Sequence, residues 1–221
     1  MTEVPRAARS WTYVGLAIAL FSAPAIVALF KLLGFTREDF GATVIRELII
    51  LALVALLFWI IRSREKLPLS SIGLRRQGIV TTILWSLAAM LMFGVGIAAC
   101  LIVFPLIGLS YGSSSGPTLP LGVSLLLYAR AGIAEEVFYR AYAIERISAL
   151  TGNRVIAAGI PLLIFATGHY SQGIAGILIT LVIGAIATAI YLWKRNLVIL
   201  ILAHFMVDFI PNVLLPLIFG D

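Results

Sequence analysis

The sequence predicts an all-α fold, a polytopic transmembrane helical bundle of about seven spans with its N-terminus cytoplasmic. Three observations carry that reading. Of the 221 residues, 62% are apolar and 12% charged, against about 45–50% and about 25% in soluble domains, which excludes a soluble globule. Seven spans of about 20 residues would use roughly 140 positions, so only short connections remain and residues 1–221 read as a single membrane domain. Lys and Arg crowd alternate connections, as cytoplasmic loops require.

The formal net charge of +6 fits this orientation bias. Only 16 Lys and Arg are present and no basic patch interleaved with aromatics occurs, so nucleic acid is excluded as a partner. One cysteine, Cys100, excludes an intrachain disulfide framework and reads as a buried thiol.

Long apolar runs place the spans in order at 11–31, 43–61, 79–105, 119–139, 155–170, 173–193 and 197–219. In the first, Ser22-Ala23-Pro24-Ala25 loosely resembles a leader cleavage site, but the apolar run continues to Phe30 and Pro24 is awkward there. The second is uninterrupted only from Leu48 to Ile61, so it spans only if its helix starts upstream, through Arg46 and Glu47. The fifth is short, as in a tilted or partly submerged helix. In the sixth, Gly173, Gly176 and Gly184 form a small-residue face suited to close packing.

Loop charges test the map. Alternating sides assign Arg6, Arg9, Arg62, Arg64, Lys66, Arg75, Arg76, Arg146, Arg154, Lys194 and Arg195 to one side, and only Lys31, Arg37 and Arg46 to the other. That asymmetry sets the N-terminus inside. Arg130 and Arg140 are left over, within or at the edge of the fourth span.

Ionisable residues inside a span cost about 2.5–3.5 kcal/mol each on insertion scales, so each needs a reason. The fourth span carries Glu135, Glu136 and Arg140, the fifth carries His169, and the seventh carries His204 and Asp208. Glu136 and Arg140 are spaced i,i+4 with the acid first, the favourable order for an ion pair on one helix face. Glu135 points about 100° away and is expected to find its partner across the bundle. The structural alternative is an ion pair with Arg130 or Arg140. A carboxylate in low dielectric is the kind of group that serves as general acid or base near neutral pH.

Depth follows from helical rise. Measured from the turn at Gly152 and Asn153, Glu136 and His169 both lie about 25 Å deep. Measured from the Lys194-Arg195 turn, His204 and Asp208 lie about 14 and 20 Å deep, a mismatch that holds against a common level unless that second turn itself sits deeper. Three helices then deliver two carboxylates and two imidazoles to one enclosed pocket.

The motif order is Glu-Glu-x-x-x-Arg at Glu135, Glu136 and Arg140, then Phe-x-x-x-His at Phe165 and His169, then His-x-x-x-Asx at His204 and Asp208. Each motif is short, but three in this order on separate apolar spans resemble the CPBP family, the CAAX proteases and bacteriocin-processing (Abi) intramembrane endopeptidases. The resemblance covers a catalytic core of about 70–219, including Ile72-Gly73-Leu74-Arg75-Arg76 before the third span. It implies that Glu135 and His169 activate a water that attacks a peptide carbonyl, while His204 and Asp208 stabilise the oxyanion. Glu136 and Arg140 would brace the fourth helix, and Phe165 would wall the pocket. Asp208 stands where the best-known CAAX-processing members have Asn, so orienting His204 is its alternative role. The resemblance implies no cofactor; a Zn ion held by Glu135, His169 and His204 is the alternative chemistry. The implied substrate is a membrane-anchored or prenylated peptide or protein, in a multi-pass protein of the cell (inner) membrane, and oligomeric state stays open.

Two other functional classes fit the same buried groups. A transporter or proton relay would use them to shuttle ions, and predicts inverted repeats with broken helices, which are not evident. A non-catalytic membrane immunity or scaffold protein would merely retain them. Gly112-Ser113-Ser114-Ser115-Gly116 matches the Gly-x-Ser-x-Gly pattern, but that elbow needs a strand-to-helix turn, so the run reads as a flexible loop.

Overall fold

The computed structural model describes residues 8–36, 38–111 and 119–220. All of its regular elements are helical, and no strand occurs among the described residues. The Gly112–Gly116 run, Arg6 and Arg37 lie outside them. The helices are α1 (Arg9–Leu32), α2 (Phe40–Trp59), α3 (Ile79–Leu106), α4 (Leu121–Glu135), α5 (Ala143–Thr151), α6 (Arg154–Thr167), α7 (Gly173–Lys194), α8 (Leu197–Phe209) and α9 (Leu215–Phe219). π-Helical stretches extend α2 over Ile60–Arg64, join α4 to α5 over Glu136–Tyr142, and join α8 to α9 over Ile210–Leu214.

Among the described residues, five helices are long and apolar enough to cross a membrane: Arg9–Leu32, Phe40–Arg64, Ile79–Leu106, Tyr170–Lys194 and Leu197–Phe219. The second begins upstream of Arg46 and Glu47, as its short apolar run required. The other two expected spans are helices of a different kind. The helix continuing from Leu121 through Thr151 is rich in ionised residues. α6 has only 14 residues, about 21 Å against a hydrocarbon core of about 30 Å.

Every residue from Glu136 to Ser148 is buried. A helix enclosed on all sides is the centre of its bundle. α1, α6, α7 and α8 pack around it and α2 packs against α4, while α3 lies outside against α7 and α8. The outer faces carry exposed Phe21, Leu84, Leu91, Val95 and Ile102, as contact with lipid demands.

Two hairpins share one turn chemistry. α5 ends on Gly152 in the left-handed region (φ +69°), and Asn153 then caps α6 by accepting from Val155 N at 2.9 Å and Ile156 N at 3.1 Å. α7 ends on Arg195 in the same region (φ +46°), and Asn196 caps α8 by accepting from Val198 N at 3.0 Å and Ile199 N at 3.4 Å.

Contacts gather the basic residues at one end. The Arg64 guanidinium lies over Trp11 and Trp59, at 4.6 and 4.8 Å from the ring centroids. Lys194 Nζ lies over Trp85 and Trp193 at 3.5 and 3.6 Å. Arg146, expected in a connecting loop, is instead buried on α5, and its Nε donates to Glu65 at 2.8 Å. Glu65 follows the π-helical end of α2 and is turned inward, where a carboxylate must be paired. It also accepts from Thr12 Oγ1 at 2.9 Å and from the Tyr142 hydroxyl at 2.8 Å, and Arg146 donates to Ser71 Oγ at 3.0 Å.

The glycine face of α7 is narrower than its spacing predicts. At Gly184 an added Cβ would stand 2.7 Å from Leu162, 3.1 Å from Arg140 and 3.2 Å from Phe165. At Gly176 its nearest neighbours would be atoms of Gln172, one turn away on the same stretch, and at Gly173 it would meet nothing within 4 Å among the described residues. Gly173 has φ +74° and is needed for the turn into α7.

Candidate active site

The depth expected for the central helix and α6 is found. The Arg140 guanidinium lies over Phe165 at 4.0 Å, and the Tyr139 and Phe165 ring centroids are 5.1 Å apart. These helices run antiparallel, so one turn further along each brings Glu136 and His169 to a common level. The apparent mismatch of His204 also resolves. Arg195 pairs with Glu145 at 2.5 Å, and Glu145 lies seven residues before Gly152, so the second turn is recessed by about 10 Å. That recess is the difference between the two expected depths, and it brings His204 level with Glu136.

His204 is the hub. Its Nδ1 lies 2.7 Å from Glu136 Oε1, its Nε2 lies 3.8 Å from Glu135 Oε2, and the same Nε2 is 3.5 Å from Asp208 Oδ2. The 100° between Glu135 and Glu136 does not separate their surroundings, because the two nitrogens of one imidazole point to opposite edges and span the gap. Close approach of α4 and α8 makes this contact possible. At Gly132 an added Cβ would stand 2.9 Å from the Ile201 carbonyl oxygen and 3.2 Å from Phe205 N, so only glycine lets the two backbones meet beside His204.

Glu136 pairs with Arg140 at 3.1 Å, as the i,i+4 spacing predicts. Both are buried, and Glu136 Oε2 has no hydrogen-bond partner. Phe165 is buried between the Arg140 guanidinium and the His169 ring, whose centroid is 5.0 Å away.

Glu135 has partners of both expected kinds. Arg130 on its own helix, the structural alternative, donates through Nη1 to Glu135 Oε1 at 3.0 Å, and His204 across the bundle faces Oε2. The length of an Arg side chain bridges the five residues between Arg130 and Glu135. Arg130 Nε in turn donates to Glu47 Oε2 on α2. Glu47 is fully buried and also accepts from Arg46. Sequence reasoning left Glu47 as a passenger of the second span. The cost of intramembrane charge that singled out Glu135 applies to it equally and would have found it.

His169 lies two residues beyond the end of α6 rather than within it, because the helix closes at Gly168. Its Nδ1 is 2.9 Å from the Phe165 carbonyl oxygen. A carbonyl only accepts, so Nδ1 carries a proton, and in the neutral tautomer that this fixes Nε2 keeps its lone pair. Among the described residues, no three His, Cys, Asp or Glu side chains are grouped to hold a metal ion.

A helical membrane protein that gathers two carboxylates, an imidazole and a guanidinium at one level, with a second imidazole and a third carboxylate beside them, carries the acid–base equipment of a hydrolase. Residues 117–210 match the family of type II CAAX prenyl endopeptidases described as Rce1-like, the family that the motif order resembles. That family implies a membrane protease, and the chain is an integral membrane protein. Comparison with curated proteins and with solved structures gave no match.

Proposed function

We propose that the protein is an intramembrane endopeptidase that hydrolyses a peptide bond of a prenylated or otherwise membrane-associated protein, using a glutamate-activated water and no metal. The observation that carries this is the convergence of Glu135, Glu136 and Asp208 on His204 within the segment that matches the family.

The geometry supports a division of labour. Glu135 has one oxygen held by Arg130, and Oε2 faces the site. A water between Oε2 and the lone pair of His169 Nε2 would lose its proton to Glu135 as its oxygen bonds to the scissile carbonyl carbon. His204, held through Nδ1 by Glu136, presents Nε2–H to the oxyanion. Asp208 keeps that nitrogen protonated by its negative charge, which suits an acid where the resemblance expects Asn. When the intermediate collapses, the proton on Glu135 passes to the departing amine. Glu136 and Arg140 brace the hub, and Phe165 excludes water from one side.

The catalytic core runs from about 70 to 219, in a seven-span protein of the cell membrane with its N-terminus and basic end cytoplasmic. The test is cleavage in proteoliposomes of a farnesylated fluorogenic CAAX peptide and of a peptide library, by wild type, Glu135→Gln and His169→Ala. Each variant is expected to lose turnover by about 10²- to 10⁴-fold, the usual contribution of a general base. Full cleavage by both would overturn the assignment, and loss of wild-type cleavage in chelator would replace the metal-free version with a Zn site.

A further inference from the structure

The Glu47 and Arg130 side chains stand behind Glu135 and outside every motif that the family resemblance uses; Glu47 also lies outside the matched segment. Arg130 is divided between two carboxylates. Its Nε donates to Glu47 Oε2 and its Nη1 to Glu135 Oε1, so each carboxylate receives one donor. Glu47 is fully buried and held on its other oxygen by Arg46, with Nε at 2.7 Å and Nη2 at 2.6 Å, so it is a fixed anion. A guanidinium and a carboxylate left to themselves adopt a bidentate fork that occupies both oxygens. Such a fork on Glu135 would consume Oε2, the oxygen that faces His204 at 3.8 Å.

We propose that Glu47 is a positioning residue for Glu135: by holding Arg130 Nε, it fixes the orientation of that guanidinium so that it meets one oxygen of Glu135 through Nη1 and leaves the other free for the reaction. This rests on the peptidase reading of the site. α2, which the family match does not cover, thereby sets the state of the catalytic carboxylate on α4.

The inference gives the two members of the pair opposite signatures, which a merely structural role does not. Wild type, Glu47→Gln, Glu47→Asp, Arg130→Gln and Glu135→Gln are reconstituted in liposomes. They are treated at neutral pH with dicyclohexylcarbodiimide, which adds to protonated carboxyls in apolar surroundings, and adducts are located by mass spectrometry. Arg130→Gln removes the cation and should raise labelling of Glu135 about fivefold, while Glu136, whose Arg140 and His204 partners remain, keeps its wild-type labelling. Glu47→Gln releases Arg130 onto Glu135 and should leave Glu135 labelling no higher than wild type. With the farnesylated peptide, Glu47→Gln should lower kcat about tenfold with KM within about twofold, and Glu47→Asp should recover part of it. A rise in Glu135 labelling in Glu47→Gln, a joint rise at Glu135 and Glu136 in Arg130→Gln, or unchanged kcat in Glu47→Gln overturns the inference. Full cleavage by Glu135→Gln would instead overturn the peptidase reading, a result that does not depend on the labelling.

Discussion

Replacing Gly132 with Ala adds a single methyl group at the point where α4 and α8 touch. The new Cβ would lie 2.9 Å from the Ile201 carbonyl oxygen, about 0.5 Å short of ordinary van der Waals contact, and 3.2 Å from Phe205 N. Both obstacles are backbone atoms of a helix, so no side-chain rotation relieves them and α8 must shift as a body. Overpacking of this kind costs about 1–3 kcal/mol. His204 sits between Ile201 and Phe205, so the same shift lengthens its approaches to Glu135 and Glu136. A displacement of about 1 Å at a reacting group costs about 10²-fold in rate, so half of that should cost about tenfold. Gly122→Ala on the same helix is the control. Among the described residues its Cβ meets nothing within 4 Å, and the change from Gly to Ala should stabilise the helix by up to about 1 kcal/mol. Thermal unfolding in detergent and turnover of the farnesylated peptide measure both variants. A Gly132→Ala protein that unfolds at or above the wild-type temperature, with turnover within about twofold, would refute the claim that close helix approach sets the site.

Other perturbations test the framework around the site. Arg146→Met leaves Glu65 as a buried carboxylate without its cation and should cost about 3–5 kcal/mol, read as a lower unfolding midpoint. Asn196→Ala removes the cap that accepts from Val198 N and Ile199 N and should cost about 1 kcal/mol by the same measurement. Unchanged midpoints would show that these contacts do not form in the membrane.

What could be read from sequence was local. Glu136 with Arg140, the upstream start of the second span and the common level of Glu136 and His169 all follow from helical period and rise, which act along one chain segment. Pairings between distant segments have no such signature. Arg130 reaches Glu47 across 83 positions and Arg146 reaches Glu65 across 81. Both arginines had ready local explanations, one as a leftover and one as a loop cation. Asp208 and His204 were visible as an i,i+4 pair, but nothing in their spacing shows that Nδ1 of the ring is committed to Glu136. The recessed turn at Arg195 was inferred only as a mismatch in depth, and its cause, the pair with Glu145, required the fold.

The π-helical stretch from Glu136 to Tyr142 holds a surplus residue relative to an α-helix. Both flanks of that stretch are moored. Arg130 ties the incoming helix to Glu47, while Arg146 and Glu145 tie the outgoing one to Glu65 and Arg195. Relaxing the bulge into regular α-helix would slide one flank by a residue and swing its side chains by about 100°. That slip would tear at least one mooring, leaving a buried charge stranded. The register of the central helix is therefore locked from both directions, and the aim of two adjacent glutamates at one imidazole is inherited from contacts several turns away.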